Sequence, residues 1–467
     1  MPARGSDGAF IQLVRLRYLC ASLESHRRCV VVESVPCKAS QLWPKSGSSD
    51  DIALCKQGMR TRRWQTNLVL IIGASLVAVL LPEVALRLAG VSYPNFWQLD
   101  SDVGTSSRPG AEGWWKRDGE AHVRISSAGL RDQERSVAKP PHTLRIAVLC
   151  DSYAEAVQIP IEDTFWKVLE RELRTGPRLA DREPEVINCG VSGYGTAQEL
   201  LMLRHRVWAY DPDVVLLAFV TGNDIRNNSR ELEPEKKRPF FLLDDGKLVP
   251  DVTFRKSGWF RFKQSAVAKY LYPIWNDSRI FQLAREVQRV LEARSEGIQS
   301  SKVVSAHAPP RGDERKATPW DGYAEAGLDA MVYIEPEDRA WREAWEITED
   351  LLILMSDEVK NKGADFIVVT LTSGPQVYPD PAARRALEKR LGAHDLYYPD
   401  MRICDLGRRN DFPVFNLAPL FERYADQHQV FLHGFANSTR GTGHWNIEGH
   451  HLAGKLIAQN MCANLQR

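Results

Sequence analysis

Residues 145–156 read RIAVLCDSYAEA. The apolar run Ile146 to Cys150 stops at Asp151-Ser152, small and polar residues follow, and helix-like sequence resumes at Thr164. A continuous rather than alternating apolar run marks a strand buried on both faces. Such a strand belongs inside a sheet with helices on each side. A serine at its end therefore sits at the rim of the sheet, where open α/β sheets bind ligands.

The same pattern recurs along the chain. Apolar runs predict strands over 144–150, 185–190, 214–220 and 364–371, and a short one over 413–417. Helical spacing predicts helices over 164–174, 196–210 and 338–361, from near Pro381, and over 448–462. Strand, helix, strand in succession implies right-handed crossovers and a parallel sheet. The expected fold is α/β, a three-layer sandwich around a parallel, flavodoxin-like sheet, occupying residues 143–465. It is interrupted by an insertion at about 226–337, which holds charge-rich RELEPEKKR, the amphipathic FRKSGWFRFKQSAVAKYLYPIW and a polar, mobile-looking stretch. Long insertions in a compact fold are usually functional or disordered. The sequence leaves three roles open for this one: covering the pocket, touching a membrane or binding glycan.

Upstream, residues 68–82 read LVLIIGASLVAVLLP behind Arg60, Arg62 and Arg63. A basic flank before an uncharged apolar run is the arrangement of a signal anchor, with the positive end cytoplasmic. Residues 59–90 are read as an uncleaved transmembrane anchor, and a cleaved signal peptide is the second reading. The body is then extracytoplasmic, periplasmic or extracellular. The run reaches full length through Leu88 if Glu83 and Arg87, four apart on one helix face, pair or snorkel. Residues 1–58 show no sustained period and are expected to be disordered or non-native, with translation starting at Met59. Residues 91–142, rich in turn formers and aromatics, read as a connector with a small hairpin. Ser136 and Lys139 have the spacing of a lysine-activated serine, but Pro140-Pro141 makes the required helix improbable.

Composition excludes some chemistry. The net charge is +1, no Lys/Arg block exists, and residues outside the basic N-terminal stretch are slightly acidic. That leaves no electrostatic footprint for nucleic acid. Eight cysteines without C-x-x-C spacing support neither a zinc site nor a redox motif. His450 and His451 lack further ligands at metal spacing, and no cofactor is called for.

Three predicted strand ends supply different chemical parts. CDSYAEA offers a hydroxyl at Ser152. CGVSGYG offers backbone N–H groups free of a Cβ at its glycines. VTGNDIRNN offers the Asn223 amide. Near the C-terminus GTGHWNIEGHH adds His444 before the final helix, with Trp445 and Asn446 shaping its loop. A serine needs a base to become a nucleophile, and donors aimed at a developing oxyanion supply the largest stabilisation. Together these parts specify acyl transfer. Their order resembles the SGNH hydrolases, the GDSL-type esterase superfamily. The resemblance implies Ser152 as nucleophile, His444 as base, and an oxyanion hole from the Ser152 and Gly193 N–H groups with the Asn223 side chain. It implies a small-molecule or glycan ester as substrate, acetylated carbohydrate above all. Transfer of the acyl group to a polysaccharide hydroxyl, or a catalytically impaired scaffold protein, are the alternatives.

The chain departs from that pattern twice. Cys150 stands where a glycine usually precedes Asp-Ser, which requires φ < 0 there. With Cys189 nearby, two free buried thiols are expected rather than a disulfide. Thr442 and Gly441 stand where an aspartate usually precedes the histidine, so a Ser152-His444 dyad is expected, without a carboxylate.

Overall fold

The computed structural model describes residues 49–176, 182–291 and 330–464. The chain divides into two units, Met1–Ala74 and Ser75–Arg467. Expectations for residues 1–48, and for the insertion over 292–329, lie outside the described residues. Residues 49–58, expected to lack structure, belong to the long helix α1 (Ser49–Leu88). Its stretch Trp64–Leu88 is long and apolar enough to cross a membrane, with a mean hydropathy of 2.4 and none of it buried. Glu83 and Arg87 pair as their spacing requires, with Arg87 Nε donating to Glu83 Oε1 at 2.9 Å.

Within the second unit, two antiparallel hairpins open the chain: β1 (Trp97–Asp100) with β2 (Gly104–Ser107), and β3 (Glu112–Trp115) with β4 (Ala121–Arg124). The main sheet follows: β5 (Thr143–Leu149), β6 (Glu183–Asn188), β7 (Val214–Val220), β10 (Asp365–Leu371) and β11 (Val414–Asn416). All its pairs are parallel, in the order β11-β10-β7-β5-β6. That is the doubly wound order expected from alternating strands and helices. Between β7 and β10 the insertion carries a hairpin, β8 (Phe240–Asp244) with β9 (Lys247–Asp251).

Helices cover both faces. Side chains alternate along each strand, so neighbours such as Val148 and Leu149 go to opposite layers. Leu149, Leu217 and Val368 face α4 (Thr196–His205), α9 (Arg339–Asn361) and α11 (Tyr398–Arg409). Val148, Leu216 and Val369 face α3 (Phe165–Thr175), α12 (Ala418–His428) and α13 (Ile447–Asn464). The remaining α-helices among the described residues are α2 (Ser152–Glu155), α5 (Asp224–Asn228), α6 (Gly258–Gln264), α7 (Ala266–Asp277), α8 (279–291) and α10 (Pro381–Leu391). No regular element was expected between Cys150 and Thr164, yet α2 begins at Ser152 itself, with the Asp151 carboxylate capping it through the Tyr153 N–H at 2.9 Å. An aspartate before the first helical residue is a favoured N-cap.

The connector is tied to the sheet by buried arginines. Arg131 donates to the Glu155 and Ile159 carbonyls at 2.8 and 2.6 Å. Arg135 bonds Asp132, Glu170 and the Val186 carbonyl. Asn188, the last residue of β6, donates to the Arg131 and Ala154 carbonyls. A buried charge persists only when paired and hydrogen-bonded, and here Glu155, Ile159, Glu170 and Val186 supply partners from the sheet and the residues that follow its strands, with Asp132 adding one from the connector. Ser136 and Lys139 are not helical; the lysine bonds the Asp211 carbonyl and Asp213.

Candidate active site

Ser152 lies one residue past the N-cap at the end of β5, and His444 in the loop before α13. The two meet, with His444 Nε2 at 2.9 Å from Ser152 Oγ. At this distance the serine hydroxyl donates to a neutral imidazole, the geometry a general base needs.

The other ring nitrogen answers the question left by Thr442 and Gly441. His444 Nδ1 is 2.7 Å from Asp118 Oδ2. The expected dyad without a carboxylate is therefore corrected. The acid comes from the connector, in the turn between β3 and β4, 326 residues before the histidine. Thr442 and Gly441 are engaged within their own loop, through Thr442 Oγ1 to the Thr439 carbonyl and the Gly441 N–H to the His433 carbonyl.

Local chemistry fixes the carboxylate. The Trp115 indole N–H donates to Asp118 Oδ1 at 3.1 Å, leaving Oδ2 turned to the histidine. Gly119 has φ +73°, and a Cβ there would fall 2.4 Å from the Gln158 carbonyl oxygen, so only glycine fits this turn. Asn437, in the stretch before His444, then clamps the turn from the other side. Its Oδ1 accepts the Gly119 N–H at 2.8 Å and its Nδ2 donates to the Gly119 carbonyl at 2.9 Å. Gln158 Nε2 lies 3.3 Å from Asp118 Oδ2 and 3.1 Å from His444 Nδ1. Burial pushes the Asp118 carboxyl up, but the hydrogen bond and charge of His444, with the hydrogen bonds from the aspartate's own backbone and from Trp115, outweigh it and hold the group below its ordinary value. Asp118 is thus ionised wherever the histidine works as a base.

The histidine loop rests on a second, buried imidazole that the sequence reading missed. Burial lowers the His433 pKa to about 4, so the ring is neutral. Its Nδ1–H donates to the Gly443 carbonyl at 2.7 Å, and its Nε2 accepts from Thr372 Oγ1 at 2.9 Å. Thr372 in turn accepts the Trp445 indole N–H at 2.7 Å. The Gly443 carbonyl also takes the Tyr153 hydroxyl at 3.1 Å, tying the loop to α2. Trp445 and Asn446 do shape this loop, Asn446 by donating to the Phe431 carbonyl. His450 and His451 serve packing: His450 accepts the Phe165 N–H and His451 pairs with Asp163.

Gly193 and Asn223 lie on the two neighbouring strand-end loops. Gly193 adopts φ +81°, a conformation that costs other residues strain, and its carbonyl accepts from the Arg238 guanidinium. The loop is held against α2 by the Ser192 N–H, which donates to Glu155 Oε2 at 2.8 Å. Asn223 Nδ2 donates to Asp151 Oδ2 at 2.9 Å, beside Ser152, and an amide nitrogen has a second hydrogen to offer. Direct contact thus joins Ser152, His444 and Asp118. Asn223 is positioned through Asp151, which flanks the serine, and Gly193 through Arg238 and the bond of Ser192 to Glu155.

Cys150 keeps a negative φ, as its side chain requires. It and Cys189 are free and buried, with burial raising both thiol pKa values, so neither is a reactive thiolate.

No protein-family model matches the chain, and no curated protein matches it. Among solved structures it is similar to a lipase/acylhydrolase from Enterococcus faecalis, at 13% identity and a TM-score of 0.29, over 68% of this chain and 95% of that one. It is also similar to a psychrotrophic esterase from Pseudoalteromonas sp., at 10% identity and a TM-score of 0.31, over 69% and 100%. A third is a variant of an acetyl-xylooligosaccharide esterase from Geobacillus stearmophilus, at 9% identity and a TM-score of 0.33, over 71% and 97%. Likeness at this level says nothing of the reaction, which rests on this chain's own residues.

Proposed function

We propose that this chain is a membrane-anchored serine ester hydrolase of the SGNH type, with its catalytic body extracytoplasmic and an acylated, most simply acetylated, carbohydrate as substrate. The observation that carries the reading is the continuous line Ser152 Oγ, His444 Nε2, His444 Nδ1, Asp118 Oδ2, with contacts of 2.9 and 2.7 Å.

The chemistry follows from that line. Ser152 Oγ attacks the acyl carbonyl and its proton passes to His444 Nε2. Asp118 holds the ring in the tautomer that leaves Nε2 unprotonated, then stabilises the imidazolium. The carbonyl oxygen becomes an oxyanion and takes hydrogen bonds from the Gly193 and Ser152 N–H groups and Asn223 Nδ2, each such donor being worth about 2.7 to 4 kcal/mol. His444 returns the proton to the leaving alkoxide, giving an acyl-serine and a free sugar hydroxyl. Water, deprotonated by the same histidine, then releases the acid.

A sugar substrate is supported by a groove of about 640 Å³ lined by Trp97, Trp259 and Tyr272 with Gln98, Lys263 and Lys269. Flat aromatic faces beside amide and ammonium donors suit sugar rings and their hydroxyls. Trp97 links the groove to the site, since its indole N–H donates to Glu155, one turn past Ser152. The scaffold alternative drew its support from Cys150 and from the missing acid, and the carboxylate of Asp118 beside His444 speaks against the second of these.

Labelling with a fluorophosphonate probe tests the reading. The full-length protein should label, Ser152→Ala should not, and acetate should be released from acetylated xylo-oligosaccharides. A folded protein that neither labels nor cleaves any acetyl ester would end it.

A further inference from the structure

The helices of the insertion sort their residues by face. Along α7, Lys269, Tyr272 and Pro273 line the groove described above, and Asn276 is fully buried. The opposite side presents Val267, Tyr270, Leu271, Ile274 and Trp275, each at least half exposed, and Phe262 of α6 extends the same surface. Trp275 stacks on Phe281 of α8, where Val287 and Leu291 are also at least half exposed. A contiguous apolar face of this kind, with tryptophan and tyrosine among its members, is uncommon on a surface that meets only water.

This face is joined to the end of α1. Glu83 accepts the Arg279 and Ile280 N–H groups at 3.0 and 3.2 Å and the Ser278 hydroxyl at 2.9 Å, capping the start of α8. Arg87 donates to the Asp277 carbonyl at the end of α7 at 2.9 Å. Between them lies a groove of about 1010 Å³ with walls of Pro82, Ala85, Leu86, Leu283, Val287 and Leu291. The stretch Trp64–Leu88 has 25 residues, about 37 Å of helix against a hydrocarbon core of about 30 Å. Its last turns, where α7 and α8 attach, therefore reach the headgroup level.

We propose that the outer face of α6, α7 and α8 lies in the headgroup and upper acyl region of the bilayer that holds α1, giving the domain a second, monotopic membrane contact. The proposal rests on the reading of α1 as an uncleaved anchor. Its occupant is the lipid itself. Acyl chains fill the apolar groove beside Pro82 and Leu86, Tyr270 and Trp275 sit at the interface as amphipathic aromatics do, and the side of α7 with Lys269 and Tyr272, which lines the other groove, faces away from the lipid. The catalytic body is thereby held at one tilt on the membrane surface.

The test uses the full chain in nanodiscs of phosphatidylcholine, with and without brominated acyl chains, and reads the fraction of tryptophan emission that bromine quenches. Trp275→Phe preserves the stacking on Phe281, whose ring centre lies 3.8 Å away. It should lower the quenched fraction measurably, and Tyr270→Trp should raise it. Trp64→Phe reports the anchor separately. Quenching that falls with Trp64→Phe but ignores both face variants overturns the proposal and leaves the anchor standing. No quenching in any variant overturns both. Cross-linking of Tyr270→Cys protein into dimers within the disc would assign the face to a second copy, and also overturns the proposal.

Discussion

The two halves of the site are built in different ways. Ser152 stands at the end of β5 and His444 in the loop that leads into the final helix, both at the rim of the regular alternation of strands and helices. Asp118 stands on a four-residue-strand hairpin outside the sheet, held by Trp115, Gly119 and Asn437. The first half is anchored on the two large apolar layers, and the second on a small cluster of Ala111, Val123 and Val157 with Trp115 packed against it, together with the hydrogen bonds of the turn. A candidate catalytic side chain outside the sheet can therefore be oriented by a small cluster and a polar clamp, and its loss need not disturb the fold.

Substitutions can break this comparison, beginning with the sheet. Ser152→Ala and His444→Ala should each lower kcat on p-nitrophenyl acetate by about 10⁴- to 10⁶-fold, as when a catalytic unit loses its nucleophile or base. Full activity in either would refute the assignment. Asp118→Asn removes the charge while keeping the shape, and should cost about 10²- to 10⁴-fold in kcat with KM little changed. Activity equal to wild type would reinstate the dyad. Asn437→Ala acts only through the Gly119 backbone and should cost roughly tenfold, because misplacing a catalytic group by a fraction of an ångström is felt in rate. If it costs as much as Asp118→Asn, the clamp and the carboxylate are one unit.

The smallest effects concern pH, and their signs oppose each other. Asp118 has a lowered pKa in the folded protein, so its contribution to stability is present above the ordinary carboxylate value and lost as pH falls through the lowered one. Asp118→Asn should melt a few degrees below wild type at neutral pH, with the gap closing in acid. Asp400, buried in the helical layer on α11, is raised by burial to about 7. It binds its proton more tightly folded than unfolded, so it costs stability as pH rises from the ordinary carboxylate value through about 7. Asp400→Asn should gain a few degrees above pH 7 and nothing near pH 4, as read by thermal melts across that range.

The same division explains what the sequence discloses. Strand and helix positions follow from apolar runs and helical spacing, so β5, β7, β10, α3 and α9 fall within a residue or two of expectation, and the strand-end rule leads directly to Ser152 and to Asn223. Asp118 has no such signal. It is followed by glycine between two short segments, EGWW and the alternating AHVR, and Asp-Gly between such segments is a signal for a tight hairpin turn. That pattern reveals a turn without revealing what the turn touches, because the partner lies 326 residues away. His433 was hidden for a similar reason, since a buried neutral imidazole looks in sequence like any other histidine. The outer face of α7 could be read as amphipathic, but which of its sides met the groove depended on the fold.

The position of the acid ahead of β5 has a practical consequence. A fragment trimmed to the sheet, starting at Thr143, would keep the serine, the histidine and both hydrophobic layers, yet discard Asp118 and the Arg131 and Arg135 ties. Proteolytic nicking within 133–142 would threaten the same parts in the intact protein. Expression boundaries chosen from the α/β pattern alone would yield a product without the carboxylate that the proposed mechanism requires. A useful soluble version has to retain everything from the first hairpin onward.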